Sequence, residues 1–234
     1  MRETVERVDV DNCESRLQVV LHRARYDFVL AHLPPGQSVL EIGTGTGTFA
    51  KELSKRCARY AGVEYDPVAC QMSRQKSGLQ QEIIQGDARS LPFEANQFSF
   101  VVCLEVLEHL GDFEAGVKEI HRCINSDGTA IISVPYRKIG RKNTTTYHPY
   151  EPGERELVGT FERLFKKVDV YYQYFEETPR MTLARNLHLR RVFRMDKIYA
   201  DLANGLPQAT EKLHIGARSG GWNMGLLLVV NGKK

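Results

Sequence analysis

Two glutamates and a histidine crowd the run Leu104-Glu105-Val106-Leu107-Glu108-His109, and a second histidine, His148, follows after a basic stretch. On a helix opening at Glu105, the residues Glu105, Glu108 and His109 fall at i, i+3 and i+4 and share a face. With His148 they would make a set of two carboxylates and two imidazoles. Oxygen and imidazole ligands suit magnesium, manganese or another divalent ion, which lowers the pKa of a bound hydroxyl. Without a metal, His109 or His148 would serve as general base or substrate contact. A purely structural histidine is the third reading. His22, His32, His121, His188 and His214 have no partner at useful spacing and are expected at the surface.

These groups follow a segment built for a different task. Val39-Leu40-Glu41-Ile42 is β-compatible, Gly43-Thr44-Gly45-Thr46-Gly47 alternates glycine with threonine, and Phe49-Ala50-Lys51-Glu52-Leu53 resumes with helical spacing. A strand, a tight glycine turn and a helix bring backbone amides close to a nucleotide-like ligand at the positive end of the helix. Tyr60-Ala61-Gly62-Val63 then ends in Glu64, about 20 residues beyond Gly43, where such folds place the carboxylate that grips ribose hydroxyls. Ile83-Ile84-Gln85-Gly86-Asp87-Ala88 is a third short strand ending in an acid that could accept from an adenine amino group. A nicotinamide-binding loop would want a glycine three residues after Gly45, and that position is Thr48.

Taken together, residues 36–136 resemble the class I S-adenosylmethionine-dependent methyltransferases. Glu41-Ile42-Gly43-Thr44-Gly45-Thr46-Gly47 matches their first motif, Glu64 their ribose-binding acid and Gly86-Asp87-Ala88 their adenine-side turn. Phe98 to Leu110 looks like the fourth motif of the ubiquinone-biosynthesis and small-molecule members. The resemblance implies that Glu41, Gly43, Thr44, Gly45, Gly47, Glu64, Tyr65, Asp87, Ala88, Leu104 and Glu105 frame S-adenosyl-L-methionine. The metal-ligand spacing is similar to that of small-RNA 2'-O-methyltransferases and to the Glu-x-x-Glu-His segment of ubiquinone-pathway O-methyltransferases. The class I resemblance implies a Rossmann-like α/β fold of seven mostly parallel strands with helices on both faces and an antiparallel last strand. Methyl transfer to an oxygen of a sugar, phenol or quinone precursor is the expected chemistry. Ribose 2'-O-methylation of RNA and a non-catalytic cofactor-binding partner subunit are the alternatives. No Asn/Asp-Pro-Pro-aromatic motif for base amines is present, and Cys103 lacks the proline setting of a cytosine-attacking thiol.

The whole chain limits the partners. Its 234 residues suit one domain with an appendage. Thirty-two basic and 29 acidic residues leave only +3, so nucleic acid is an unlikely partner by charge alone. Five scattered cysteines without a Cys-x-x-Cys pair, a charged N-terminus and no long apolar run point to a cytoplasmic protein without a membrane span.

The elements that must carry the site follow in order. A helix is expected over 14–33, with Leu17, Val20, Leu21, Ala24, Phe28 and Ala31 as its apolar stripe, leaving Arg25 solvated and Tyr26 as packing. Asp66-Pro67 and Asp112 open further helices, Glu154–Leu164 forms another, and strands are expected at 98–104, 129–134, 168–172 and 225–230. Arg137, Lys138, Arg141 and Lys142 make a basic loop suited to an anionic acceptor. Residues 173–222 read as an insertion with a helix near 180–203, expected to cover the substrate or to form a homodimer contact.

Overall fold

The computed structural model describes residues 16–142, 147–175, 213–217 and 222–234. Chain order runs α1 (Arg16–His32), β1 (Ser38–Ile42), α2 (Ala50–Ser54), β2 (Arg59–Glu64), α3 (Pro67–Ser77), β3 (Ile83–Gln85) and β4 (Phe98–Leu104). A single 3-10 turn at Leu107–His109 precedes α4 (Phe113–Cys123), β5 (Ile124–Pro135), β6 (Arg141–Lys142) and β7 (Tyr150–Glu151). The last elements are α5 (Glu154–Leu164), β8 (Phe165–Phe175), β9 (Leu213–Gly216) and β10 (Trp222–Lys233).

Eight strands form one sheet in the order β3-β2-β1-β4-β5-β10-β8-β9. From β3 to β5 the neighbours are parallel, and β10 enters antiparallel to both β5 and β8. This is the expected sheet with one strand more. The extra strand, β9, comes from the stretch read as an insertion and pairs with the edge of β8, Gln173 opposite Ile215. β8 itself runs to Phe175 and β10 starts at Trp222, so the insertion is shorter at both ends than expected. The helix anticipated near 180–203 and any dimer contact within it lie outside the described residues.

Parallel strands covered on both faces need apolar residues at nearly every position. β4 obeys this, with Phe98, Phe100, Val101, Val102, Cys103 and Leu104 all buried. One face carries α4 and α5, whose Phe113, Val117, Ile120, Leu157 and Phe161 meet Leu40, Ile42, Val101 and Cys103. The other carries α1, α2 and α3, whose Tyr26, Val29, Leu53 and Cys70 meet Val39, Phe100 and Val102. Cys57, Cys70, Cys103 and Cys123 are free thiols, and burial pushes that of Cys103 upward, which fits a packed strand residue.

Local signals set the helix ends. Asp66 accepts from the Ala69 amide at 2.8 Å ahead of Pro67, and Asp112 accepts from the Ala115 amide at 3.1 Å. α1 departs from expectation in its facing. It buries Leu21, Arg25, Tyr26 and Val29, while Ala31 is exposed, so the buried stripe is turned by about one position. A charged residue can occupy that stripe because a carboxylate waits for it, as described below. β5 also begins earlier than expected: Ile124 already pairs with Phe98, and residues 125–128 bulge out before Thr129 meets Phe100.

Candidate active site

The glycine loop is tied down before any ligand is considered. The Gly43 and Thr44 amides both donate to the Val63 carbonyl, at 2.8 and 3.2 Å, and the Gly47 amide donates to the Thr44 carbonyl. Ser73 on α3 donates its hydroxyl to the buried Thr44 hydroxyl at 3.0 Å. All three glycines have positive φ, and two of them also have no room for a side chain. A Cβ on Gly43 would stand 2.4 Å from Val106, and one on Gly47 would stand 2.7 Å from the Ser73 backbone. Gly45 faces open space, as a glycine opposite a ligand should.

Three acids surround this loop in different states. Glu64, at the end of β2, accepts from the Gly45 amide at 2.8 Å and the Asp66 amide at 3.1 Å, so it sits on the loop's rim beside the exposed ring of Tyr65. Asp87 is gripped by Arg89 through 2.6 and 3.0 Å contacts, and that guanidinium holds its carboxyl below the usual range. Ala88 next to it is buried. Glu41 is the exception. It lies 1% exposed under the loop, where Tyr26 donates to it at 2.5 Å and Tyr60 donates to its other oxygen. Burial raises its pKa to about 7 against the opposing pull of the two hydroxyls. Glu41 therefore supports the loop from below, with both oxygens occupied by tyrosines.

The acidic run after β4 divides into two clusters. Glu105 is not helical: its φ of 54° is left-handed, a costly conformation for a residue with a Cβ. That turn places its carboxylate on the Ser133 hydroxyl at 2.8 Å and 3.3 Å from Arg25. The expected i, i+3, i+4 face therefore loses its first member, because only Leu107–His109 turns helically. Arg25, expected in solvent, is 3% exposed. Sequence spacing gave no sign of this pair, since its members lie on α1 and at the end of β4. His22, expected at the surface, is half-buried near Arg25, and its imidazole is pushed down to about 4, mainly by desolvation.

The second cluster gathers Glu108, His109 and His148, whose nearest ligand atoms lie within 4.8 Å of one another. The two imidazoles meet edge to face, centroids 4.7 Å apart. His109 Nδ1 is 3.0 Å from the Tyr147 carbonyl. A carbonyl only accepts, so Nδ1 carries the proton and the basic nitrogen of a neutral His109 is Nε2. His148 is buried, with Nδ1 2.7 Å from Glu151. Glu108 is 1% exposed, one of its oxygens has no hydrogen-bond partner, and burial together with the Glu105 charge pushes its pKa well up. Leu104, at the strand end above, is buried in the core. Glu151 was not expected from the sequence. Its nearness in chain to His148 was the available signal.

Residues 40–132 match the family described as a methyltransferase domain. A demethylmenaquinone methyltransferase from Deinococcus radiodurans is 33% identical over 115 residues, 47% of this chain and 47% of the relative. The match thus spans about half the length of that relative. A ubiquinone/menaquinone biosynthesis C-methyltransferase from Neisseria meningitidis is 29% identical over 169 residues, 69% of this chain and 67% of the other. Among solved structures, an S-adenosylmethionine-dependent methyltransferase from Thermotoga maritima shares the fold with a TM-score of 0.60 at 19% identity, covering 93% of this chain and 87% of its own. No described helix is long and apolar enough to cross a membrane.

Proposed function

We propose that this class I S-adenosylmethionine-dependent methyltransferase transfers the sulfonium methyl to an oxygen of a small or medium hydroxylated acceptor, foremost a phenol or quinone precursor. The observation that carries this reading is the His109–His148 pair next to the strand ends, with the Nδ1 of His109 committed to the Tyr147 carbonyl. An imidazole held in that tautomer offers Nε2 to an acceptor hydroxyl. The rest of the work is alignment of acceptor and methyl, which the fixed loop and the Glu64 and Asp87 rim support.

A phenol losing its proton becomes nucleophilic at oxygen and at the ortho ring carbon alike. The same base therefore serves O- and C-methylation, and the atom placed in line with the methyl decides the product. One relative is named for demethylmenaquinone and the other as a C-methyltransferase of ubiquinone and menaquinone biosynthesis, which favours a quinone-type aromatic acceptor here.

A second reading rests on the orphaned oxygen of Glu108. One buried carboxylate and two imidazoles suit a divalent cation held by Glu108, His109 and His148, and Glu105, engaged elsewhere, would not join them. Such an ion would supply Lewis acidity to a bound hydroxyl.

The test is transfer of a ¹³C-methyl from the cofactor to a panel of hydroquinones, catechols, sugars and RNA, with product carbons read by NMR. A methoxy carbon on a phenolic acceptor is expected, and His109→Ala should lower its rate by about 10²- to 10⁴-fold with cofactor affinity unchanged. A ring-methyl product would move the acceptor atom to carbon. Labelled RNA would replace the acceptor class. Cofactor binding without transfer to any pool would point to a partner subunit, and activity lost to a chelator would favour the cation.

A further inference from the structure

One of the two imidazoles, that of His148, is held by a carboxylate that neither the glycine-loop motif nor the acidic run contains. We infer that Glu151 is a positioning residue: bonded to Nδ1 of His148, it fixes that imidazole in the tautomer whose basic nitrogen, Nε2, serves the site beside His109. The consequence for turnover rests on the proposed methyl transfer, whereas the tautomer itself does not.

Glu151 is 1% exposed and both its oxygens are engaged, one 2.7 Å from His148 Nδ1 and the other accepting from Arg137 Nε. Removing a carboxylate from water costs several kcal/mol unless charges and donors meet it, and the Arg137 guanidinium does so here. An ionised carboxylate only accepts, so His148 Nδ1 must carry the proton. This matches the way a carboxylate behind an imidazole sets its tautomer and raises its basicity in catalytic and metal sites.

Backbone pairing brings these residues together. β6 and β7 pair in antiparallel register, Arg141 opposite Glu151 and Lys142 opposite Tyr150, and the Glu154 amide donates to the Arg137 carbonyl at 2.7 Å. Arg137, Glu151 and His148 therefore lie in or beside one short antiparallel strand pair ahead of α5. Tyr147, next to His148, supplies the carbonyl that fixes His109, so one segment sets both imidazoles. Had the hairpin needed only packing, an apolar side chain at 151 would fill the place without the desolvation cost.

Two measurements decide the matter. In protein labelled with ¹⁵N-histidine, long-range ¹H–¹⁵N spectra should show His148 with a protonated Nδ1 and an unprotonated Nε2. Glu151→Gln should convert it to a tautomer mixture, and Glu151→Leu serves the same purpose if the glutamine variant keeps the bond through its amide oxygen. Kinetics then use a phenolic acceptor that the wild-type protein methylates. Glu151→Gln should lower kcat about 10- to 100-fold with KM and cofactor affinity unchanged, and should cost nothing further in a His148→Ala background. An unchanged His148 tautomer in both variants, or an equal loss in the His148→Ala background, overturns the inference. If no acceptor is methylated, the proposed function fails, and the spectra alone still decide for or against Glu151.

Discussion

The glycine loop after β1 and the acidic turn after β4 are built by different means. In the glycine loop, Gly43, Gly45 and Gly47 shape backbone, and the loop is tied by main-chain bonds to Val63 and Thr44. Around the turn after β4, the work falls to side chains brought from separate elements: Arg25 from α1, Glu105 after β4, Ser133 from β5, and Glu151 from β7. The first depends on where a Cβ is missing and the second on which charges meet. The two should therefore fail differently when altered.

The sharpest break is expected at Gly47. Gly47→Ala places a Cβ against the Ser73 backbone at positive φ, and should destabilise the fold by about 4 kcal/mol in denaturant unfolding. A loss under 1 kcal/mol would mean that the loop yields and that backbone shape is not what sets it.

Glu41 gives the next effect, through pH. Its folded pKa of about 7 stands above the ordinary 4.5, so the folded state holds the proton more tightly. The stabilisation is full below pH 4.5, declines as pH rises, and is gone above 7. About 3 kcal/mol should be lost across that window at this one group. Comparison of chemical unfolding at pH 5 and pH 8 for the protein and Glu41→Gln isolates it, since the glutamine variant should lack this component.

After β4, Arg25→Ala strands Glu105 and should cost about 2 kcal/mol, below the roughly 3–5 kcal/mol of a fully buried pair because Glu105 keeps some solvent contact. Adding Glu105→Gln should recover part of that loss. If the double variant is worse than Arg25→Ala alone, charge pairing is not what holds this turn. The smallest effect is expected at the rim: Asp87→Ala should weaken cofactor binding several-fold, about 1 kcal/mol by calorimetry. Unchanged affinity would remove Asp87 from the cofactor's contacts.

The same division decides what could be read before the structure. The strands ending in Glu41, Glu64 and Asp87, the glycine turn and the caps at Asp66 and Asp112 depend on neighbours a few residues away, and periodicity and turn chemistry report such neighbours. The Arg25–Glu105 pair joins distant segments, and α1 could bury an arginine only because its partner was already in place. Helical spacing misplaced Glu105 because it assumed a helix where the chain takes a left-handed step. The grouping of His109 with His148 was within reach, being a matter of chemical kind; Glu151 carried only its place three residues past His148 as a signal, and its Arg137 partner lies 14 residues away.

Gly43 and Val106 carry a consequence for anyone engineering the protein. The valine methyl occupies the place that a side chain on Gly43 would need, so the glycine loop and the turn leading to His109 are one interlocked surface. A bulkier or smaller residue at 106 is thus an edit to the loop and to the histidine turn at once. Screens that alter this position for a new acceptor should score cofactor affinity in the same assay, because the two traits will not sort independently.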